Sequence, residues 1–386
     1  MALGPSQREG RVARGSDAMT APLHIAITAD PYLPVPPRLY GGIERVLDFL
    51  VRGLTARGHR VTLFAHPESE VPATLVPYGS PPHFSKLARA RELWQVGAKL
   101  WSKRNTFDVI HSFGRLAALM PVLSNRTLPK IQSYQRDGLP WKSIRTASRM
   151  ARNSICFTAC SSNVYRAMPA TDGSFGTWHT VFNGVDLAKY TFLREVDCDA
   201  PLAFLGRLEP IKGAHNAIAI AKLAGRKLII AGNQVPECQD YFASQIAPHI
   251  DGDRVQYLGP VDDEAKNALL SNCAALLMPI EWEEPFGIVM AEAMACGTPV
   301  IGFARGSVNE VLRHGVNGYV CRGTEDAAAF VGKLGAIDRS VVREDCEQRF
   351  SSTVVVDEYE RLYSSLCAQT ASFRAVAIGS GWRGVG

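Results

Sequence analysis

The chain has 386 residues, 46% apolar and 20% charged, which specifies a globular protein of about two domains and excludes a disordered or fibrous one. No apolar run reaches the ~18 residues of a membrane span, and nine scattered cysteines without a Cys-x-x-Cys pair exclude a disulfide framework and a zinc site and suit a reducing cytoplasm. The net charge of +5 is uneven: from Lys86 to Arg166 fifteen Lys or Arg face three acids, a local +12 that must meet either water or something anionic.

Residues 1–21 are polar and rich in Gly and Arg, with no secretory signal. They read as a disordered extension, or as the product of an upstream start with Met19 as the alternative first residue. Order begins at His24–Thr28, a short apolar strand, followed by a proline-rich loop. Gly41-Gly42 then precedes a helix whose apolar positions 43, 46, 47, 50, 51 and 54 repeat at helical spacing, and Val61–Ala65 is the next strand. A strand, a glycine turn, a helix and a strand form one right-handed parallel unit. Glycines at such a turn let amides approach a phosphate at a helix N-terminus, although a Gly-Gly pair is also simply a tight turn. The dinucleotide pattern Gly-x-Gly-x-x-Gly is absent, which disfavours a nicotinamide enzyme.

Residues 83–104 place Phe84, Leu87, Trp94, Val96, Leu100 and Trp101 among six Lys or Arg, the pattern of a basic amphipathic helix. Such a helix packs its apolar face on the sheet, docks on an anionic membrane surface, or does both. No nucleic-acid-binding motif lies in the basic region. Phe107–His111 is strand-like and ends in His111, at the sheet edge where ligands bind in doubly wound folds. Strand-like runs recur at 130–137 and 155–159, and 180–186 closes the first half, its Asn183-Gly184-Val185-Asp186 by composition a turn. The second half starts with the strand 201–205, then Gly206-Arg207-Leu-Glu-Pro-Ile-Lys212-Gly213 before a helix. Arg207 and Lys212 beside a helix start suit a diphosphate, and equally a solvated loop.

After the strand 275–278, the stretch Glu281-Trp-Glu-Glu-Pro-Phe-Gly-Ile-Val-Met-Ala-Glu-Ala-Met-Ala-Cys-Gly-Thr-Pro-Val reads as an acidic turn, a buried helix and a strand. Glu292 is surrounded by apolar residues, and a carboxylate there needs hydrogen bonds. Glu284 and Glu292 stand roughly 12 Å apart along a helix at ~1.5 Å per residue, enough to hold two ends of one extended polar ligand. A core carboxylate and a solvated loop charge are the plainer alternative.

Glu284-x7-Glu292 in this setting, with Gly-Arg207-x4-Lys212-Gly, resembles the signature of the retaining group 1 glycosyltransferases of family four, over residues 24 to 370. The resemblance implies the α/β GT-B fold: two doubly wound Rossmann-like domains facing across a cleft, with a C-terminal helix returning to the first. The boundaries read as 22–187 for the acceptor-side domain, 188–353 for the nucleotide-sugar domain, 354–370 for the returning helix and 371–386 for a disordered tail. It implies transfer of a hexose-type sugar from a UDP- or GDP-sugar to a hydroxyl of a glycan, glycolipid or small acceptor, without metal or other cofactor. Arg207, Lys212 and the amides of Gly41 and Gly42 would meet the diphosphate. Glu284, the backbone of Phe286, Gly287 and Ile288, and His111 would meet the sugar, and Glu292 the ribose. Many relatives carry a histidine near the end of the 130–137 strand, where this chain has Gln135. A nucleotide-sugar epimerase and a non-catalytic nucleotide-sugar sensor are the alternatives on the same fold. The expected location is cytoplasmic, with peripheral contact to an anionic membrane through 83–104.

Overall fold

The computed structural model describes residues 21–38, 41–79 and 85–380, without the side chains of 372–380. Two parallel sheets divide the chain. The first holds β1 (His24–Thr28), β2 (Arg60–Ala65), β3 (Thr74–Pro77), β4 (Val109–Ser112), β5 (Lys130–Tyr134), β6 (Ile155–Ala159) and β7 (Thr177–Thr180), in the order β3-β2-β1-β4-β5-β6-β7. The second holds β8 (Leu202–Leu205), β9 (Leu228–Ala231), β10 (Val255–Tyr257), β11 (Ala275–Met278), β12 (Val300–Phe303) and β13 (Gly318–Cys321), in the order β10-β9-β8-β11-β12-β13. Short runs such as Ile25-Ala26-Ile27 and Ala275-Leu276-Leu277 are buried on both faces, as strands covered by helices on two sides must be. In both sheets the order reverses beside the first strand, and ligand crevices of this fold class open at that switch point.

The helices that matter for the site are α1 (Gly42–Ala56), α2 (Lys86–Lys103), α3 (Asp263–Asn272), α4 (Ile288–Ala295) and α5 (Ser352–Ser380). The chain crosses between the domains twice, side by side: Val185 N donates to Phe350 O and Ser352 N donates to Val185 O, both at 2.8 Å. A Cβ on Gly184 would lie 2.6 Å from Phe350 O, so only glycine lets the two crossings touch. α5 then returns to the first domain and buries Tyr359 and Tyr363 completely. Its close approach to α1 needs Gly53, where a Cβ would stand 2.6 Å from Val356 Cγ2. Arg57 of α1 bridges Asp357 and Glu360 of α5, each at 2.5 Å.

One expectation needs correction. α5 does not stop at 370 but runs to Ser380, because 371–378 contains no glycine or proline. The last strand of the first sheet is Thr177–Thr180, and the residues after it form the crossing, where Val185 bridges to Ser351. β3 was not foreseen, since its edge position leaves it half-exposed and without an apolar run. The extension at 1–20, the last residues 381–386 and His83 and Phe84 of the amphipathic stretch lie outside the described residues.

Candidate active site

The acidic turn between β11 and α4 is built by backbone contacts. Gly213 has φ +75°, and a Cβ there would fall 1.9 Å from Pro279 O, so the turn carrying Lys212 packs directly on the end of β11. Glu281 N donates to Ile211 O at 2.8 Å and ties the two turns together. From the other side, Ser307 Oγ donates to Phe286 O at 2.8 Å and Ser307 N to Glu284 O at 2.9 Å.

This framework brings Lys212 to Glu284, with Nζ 2.6 Å from Oε2. Trp282 Nε1 donates to the same oxygen at 3.0 Å, and the Lys212 ammonium lies 4.5 Å from the Trp282 ring centroid. Glu284 is 7% exposed. A desolvated carboxylate, a lysine and an indole thus form one compact polar unit, aimed by two fixed turns rather than by a flexible loop. Arg207 stands at the same edge, after β8, and its Nε lies 2.9 Å from Glu209 Oε1.

Glu292, eight residues on, is 6% exposed in the middle of α4. Its Oε1 accepts from the Tyr190 hydroxyl at 2.7 Å and from Lys266 Nζ at 2.6 Å. Burial, followed by the Glu292 charge, holds the Tyr190 phenol well above its ordinary pKa, so it acts as a donor. Lys266 also reaches Asp263 Oδ1 at 3.2 Å, and Asp263 Oδ2 pairs with Arg45 of α1 at 2.6 Å. The core carboxylate is therefore satisfied by side chains, not by a backbone amide. A cavity of about 400 Å³ opens beside Glu292, between α1 and the interdomain crossing. Across the interface, Ile288 at the start of α4 meets the glycine turn: a Cβ on Gly42 would lie 3.0 Å from Ile288 Cδ1. Gly42 and Ile288 thus meet at the junction between the domains.

His111 does not join them. It is fully buried, with Nδ1 2.7 Å from the Tyr363 hydroxyl and Nε2 2.6 Å from the Ser133 hydroxyl. The alternation of β4 turns its ring onto the face covered by α5, against Phe113 and Tyr359; the sheet edge comes only at Phe113 and Gly114. Both ring nitrogens are spent on internal partners, so the expected sugar contact through His111 does not form. Gln135, after β5, is the polar residue found at that edge, and both its amide atoms are buried without a partner.

Burial lowers the His111 pKa from 6.5 to about 3. Above pH 6.5 the folded and unfolded chains are both neutral at this residue. As pH falls from 6.5 towards 3 only the unfolded chain takes the proton, so stability declines by up to ~1.4 kcal/mol per pH unit. His111→Gln is expected to remove that proton's share of the slope of urea-unfolding stability between pH 6.5 and 5; identical slopes would refute the assignment.

The model for glycosyl transferases group 1 matches residues 195–340, and that for glycosyltransferase family 4 matches 40–189. The chain belongs to the group 1, family four glycosyltransferases. The two matches meet at the interdomain crossing and leave β1 and the returning helix α5 outside. An N-acetyl-alpha-D-glucosaminyl L-malate synthase of Bacillus anthracis is 30% identical over 206 residues, 48% of this chain and 52% of that enzyme. A glycogen synthase of Mycobacterium tuberculosis is 27% identical over 356 residues, 80% of this chain and 84% of that enzyme. Anabaena HepE, solved with UDP and glucose, superimposes with a TM-score of 0.67 at 21% identity, over 89% of this chain and 100% of that one. The fold of this glycosyltransferase is GT-B.

Tyr190, Lys266, Asp263, Trp282 and Arg45 escaped the sequence reading. Lys266 had a usable signal, a basic residue three positions after Asp263 at a helix start. Tyr190 had none, because a tyrosine in a connecting segment carries no pattern.

Proposed function

We propose that this enzyme transfers a hexose-type sugar from a UDP- or GDP-sugar to an acceptor hydroxyl, with retention at the anomeric carbon and without a metal. The observation that carries the reading is the Lys212–Glu284 pair, held at 2.6 Å beside the N-terminus of α4 and across from Gly42. Lys212 and Arg207 stabilise the departing diphosphate, with the amides of Gly41 and Gly42 from the facing domain. Glu284 and the Phe286–Ile288 backbone hold the sugar hydroxyls, and Glu292 takes the ribose. The diphosphate oxygen accepts the proton of the attacking hydroxyl, so no protein base is assigned. Two fixed cations supply the charge that a metal ion would otherwise bring. HepE, with UDP and glucose bound, supports a nucleotide-sugar donor. The relatives' names cover L-malate and glycogen, so they leave the acceptor open. Cys156, Cys160, Cys273, Cys296, Cys321 and Cys346 are buried thiols, in keeping with a cytoplasmic enzyme.

The deciding experiment supplies a panel of UDP- and GDP-sugars with no acceptor and no added metal. Slow release of sugar and nucleotide from one donor identifies it. Conversion to an isomeric nucleotide sugar would make the protein an epimerase, and tight binding with no turnover of any donor, with or without acceptors, a sensor.

The reading also includes peripheral contact with an anionic membrane through α2. The structure divides the apolar residues of this helix into two sets. Val96 and Leu100 are buried inward, while Leu87, Trp94 and Trp101 form an outward stripe, 84%, 73% and 44% exposed. The Arg104 guanidinium lies 3.9 Å from the Trp101 ring centroid, and Lys86, Arg91 and Lys103 stand along the same helix. Exposed tryptophan flanked by cations matches the charge and polarity of an anionic interface. Leu87→Ser with Trp94→Ser is expected to cut partition onto anionic liposomes by at least ~10-fold, at ~1.5–3 kcal/mol per large apolar side chain inserted. Unchanged flotation, or equal binding to zwitterionic vesicles, would sink the membrane assignment.

A further inference from the structure

Three kinds of side chain at the carboxyl edge of the first sheet have no side-chain hydrogen-bond partner among the described residues. Arg115, after β4, and Arg136, after β5, are exposed and make no side-chain hydrogen bond or ion pair among the described residues. Asp30, after β1, is desolvated and feels both arginines only through space. Glu44, in the first turn of α1, is likewise desolvated, with Asp30 raising its pKa further. Gln135, immediately before Arg136, has both amide atoms buried and unpartnered.

These groups converge. Asp30 Oδ1 stands 3.3 Å from where a Cβ on Gly114 would be, next to Arg115. Glu44 Oε2 stands 2.9 Å from the corresponding position on Gly41, at the glycine turn assigned to the diphosphate. One strand further, Ser161 Oγ donates to Pro285 O at 2.5 Å, which sets this edge against the turn that carries Glu284.

We infer that this edge selects an acceptor bearing an oxyanion, a phosphate ester or a carboxylate, held by Arg115 and Arg136 beside a hydroxyl group met by Asp30 and Gln135. The inference rests on the transferase reading above. A guanidinium is satisfied by a planar or tetrahedral oxyanion, and a buried carboxylate or amide by hydroxyl donors. A neutral sugar would serve Asp30 and Gln135 but leave both arginines to water. A simple anion would serve the arginines but meet the charges of Asp30 and Glu44. A molecule with both groups answers every side chain. In the transfer, the acceptor oxygen bonds to the anomeric carbon as the anomeric C–O bond to the diphosphate breaks. The electron pair stays on the diphosphate oxygen, which takes the hydroxyl proton.

The test uses the full chain and the donor identified by hydrolysis. Transfer is measured to matched pairs: glucose and glucose 6-phosphate, inositol and inositol 1-phosphate, glycerol and glycerate. Phosphatidylinositol vesicles are compared with diacylglycerol vesicles. The anionic member of at least one pair is expected to have kcat/KM ~10-fold or more above its neutral partner, and the vesicle arm tells a lipid headgroup from a soluble acceptor. Arg115→Gln and Arg136→Gln should each lower that ratio about 10-fold, chiefly through acceptor KM, on the scale of one charge-assisted hydrogen bond. Equal use of neutral and anionic members overturns the inference, as does a preference that survives both substitutions. So does failure of every anionic probe both as acceptor and in calorimetric titration of the protein loaded with nucleoside diphosphate. Donor hydrolysis with no anion preference removes this inference alone, whereas no turnover of any donor removes the transferase reading beneath it.

Discussion

Glu284→Gln is expected to lower kcat for sugar transfer by about 10²–10³-fold, the loss typical of one preorganised polar contact to a reacting centre. Alanine is the poorer test. It would strand Lys212, whose side chain is 17% exposed and pairs with Glu284 at 2.6 Å, and breaking a buried pair from one side costs about 3–5 kcal/mol. Glutamine keeps an oxygen for Lys212 and Trp282 while removing the charge. A double-mutant cycle with Lys212→Met separates the two roles. If Glu284 only aims the lysine, the double variant transfers sugar as slowly as Lys212→Met alone. If Glu284 touches the sugar, the double variant is slower still. Thermal midpoints read in parallel show whether either loss is a folding defect. Near-wild-type turnover in Glu284→Gln would remove the central assignment.

The sequence revealed the parts whose physics is local. Apolar runs of strand length and glycine turns marked most of the strands, and the Ala- and Met-rich stretch after Gly287 marked α4. Lys212 and Glu284 were legible separately, as a cation at a helix start and an acid after a strand. Their pairing was not, because it depends on Gly213 lying against Pro279, a contact between residues far apart in the chain. His111 failed for a related reason. Its position near a strand end was read correctly, but the face it points to is decided by where α5 returns, more than two hundred residues later. The amphipathic stretch likewise read as one apolar set, and only packing against residues 116–122 shows that Val96 and Leu100 face inward while Leu87 and Trp94 do not.

Glu292 is held by residues from three places. Tyr190 belongs to the interdomain segment, Lys266 to α3, and Asp263 hands the network on to Arg45 of the first domain. Oε1 is taken by Tyr190 and Lys266, so on the proposed reading Oε2 accepts the ribose hydroxyls. Glu292→Gln is accordingly expected to raise donor KM by roughly 10–100-fold, at ~1.5–3 kcal/mol for a hydrogen bond to a charged group, and to leave kcat within a few-fold. The split matters, because a general folding defect would reduce active enzyme and so lower apparent kcat without moving KM. Lys266→Met should raise donor KM in the same direction by a smaller factor, since Tyr190 still holds the carboxylate. Arg45→Ala tests the last link: if the first domain helps to aim Glu292 through Asp263, donor KM rises. A donor KM unmoved by Glu292→Gln would show that the ribose is held elsewhere and that the buried carboxylate serves only to join α3, α4 and the crossing.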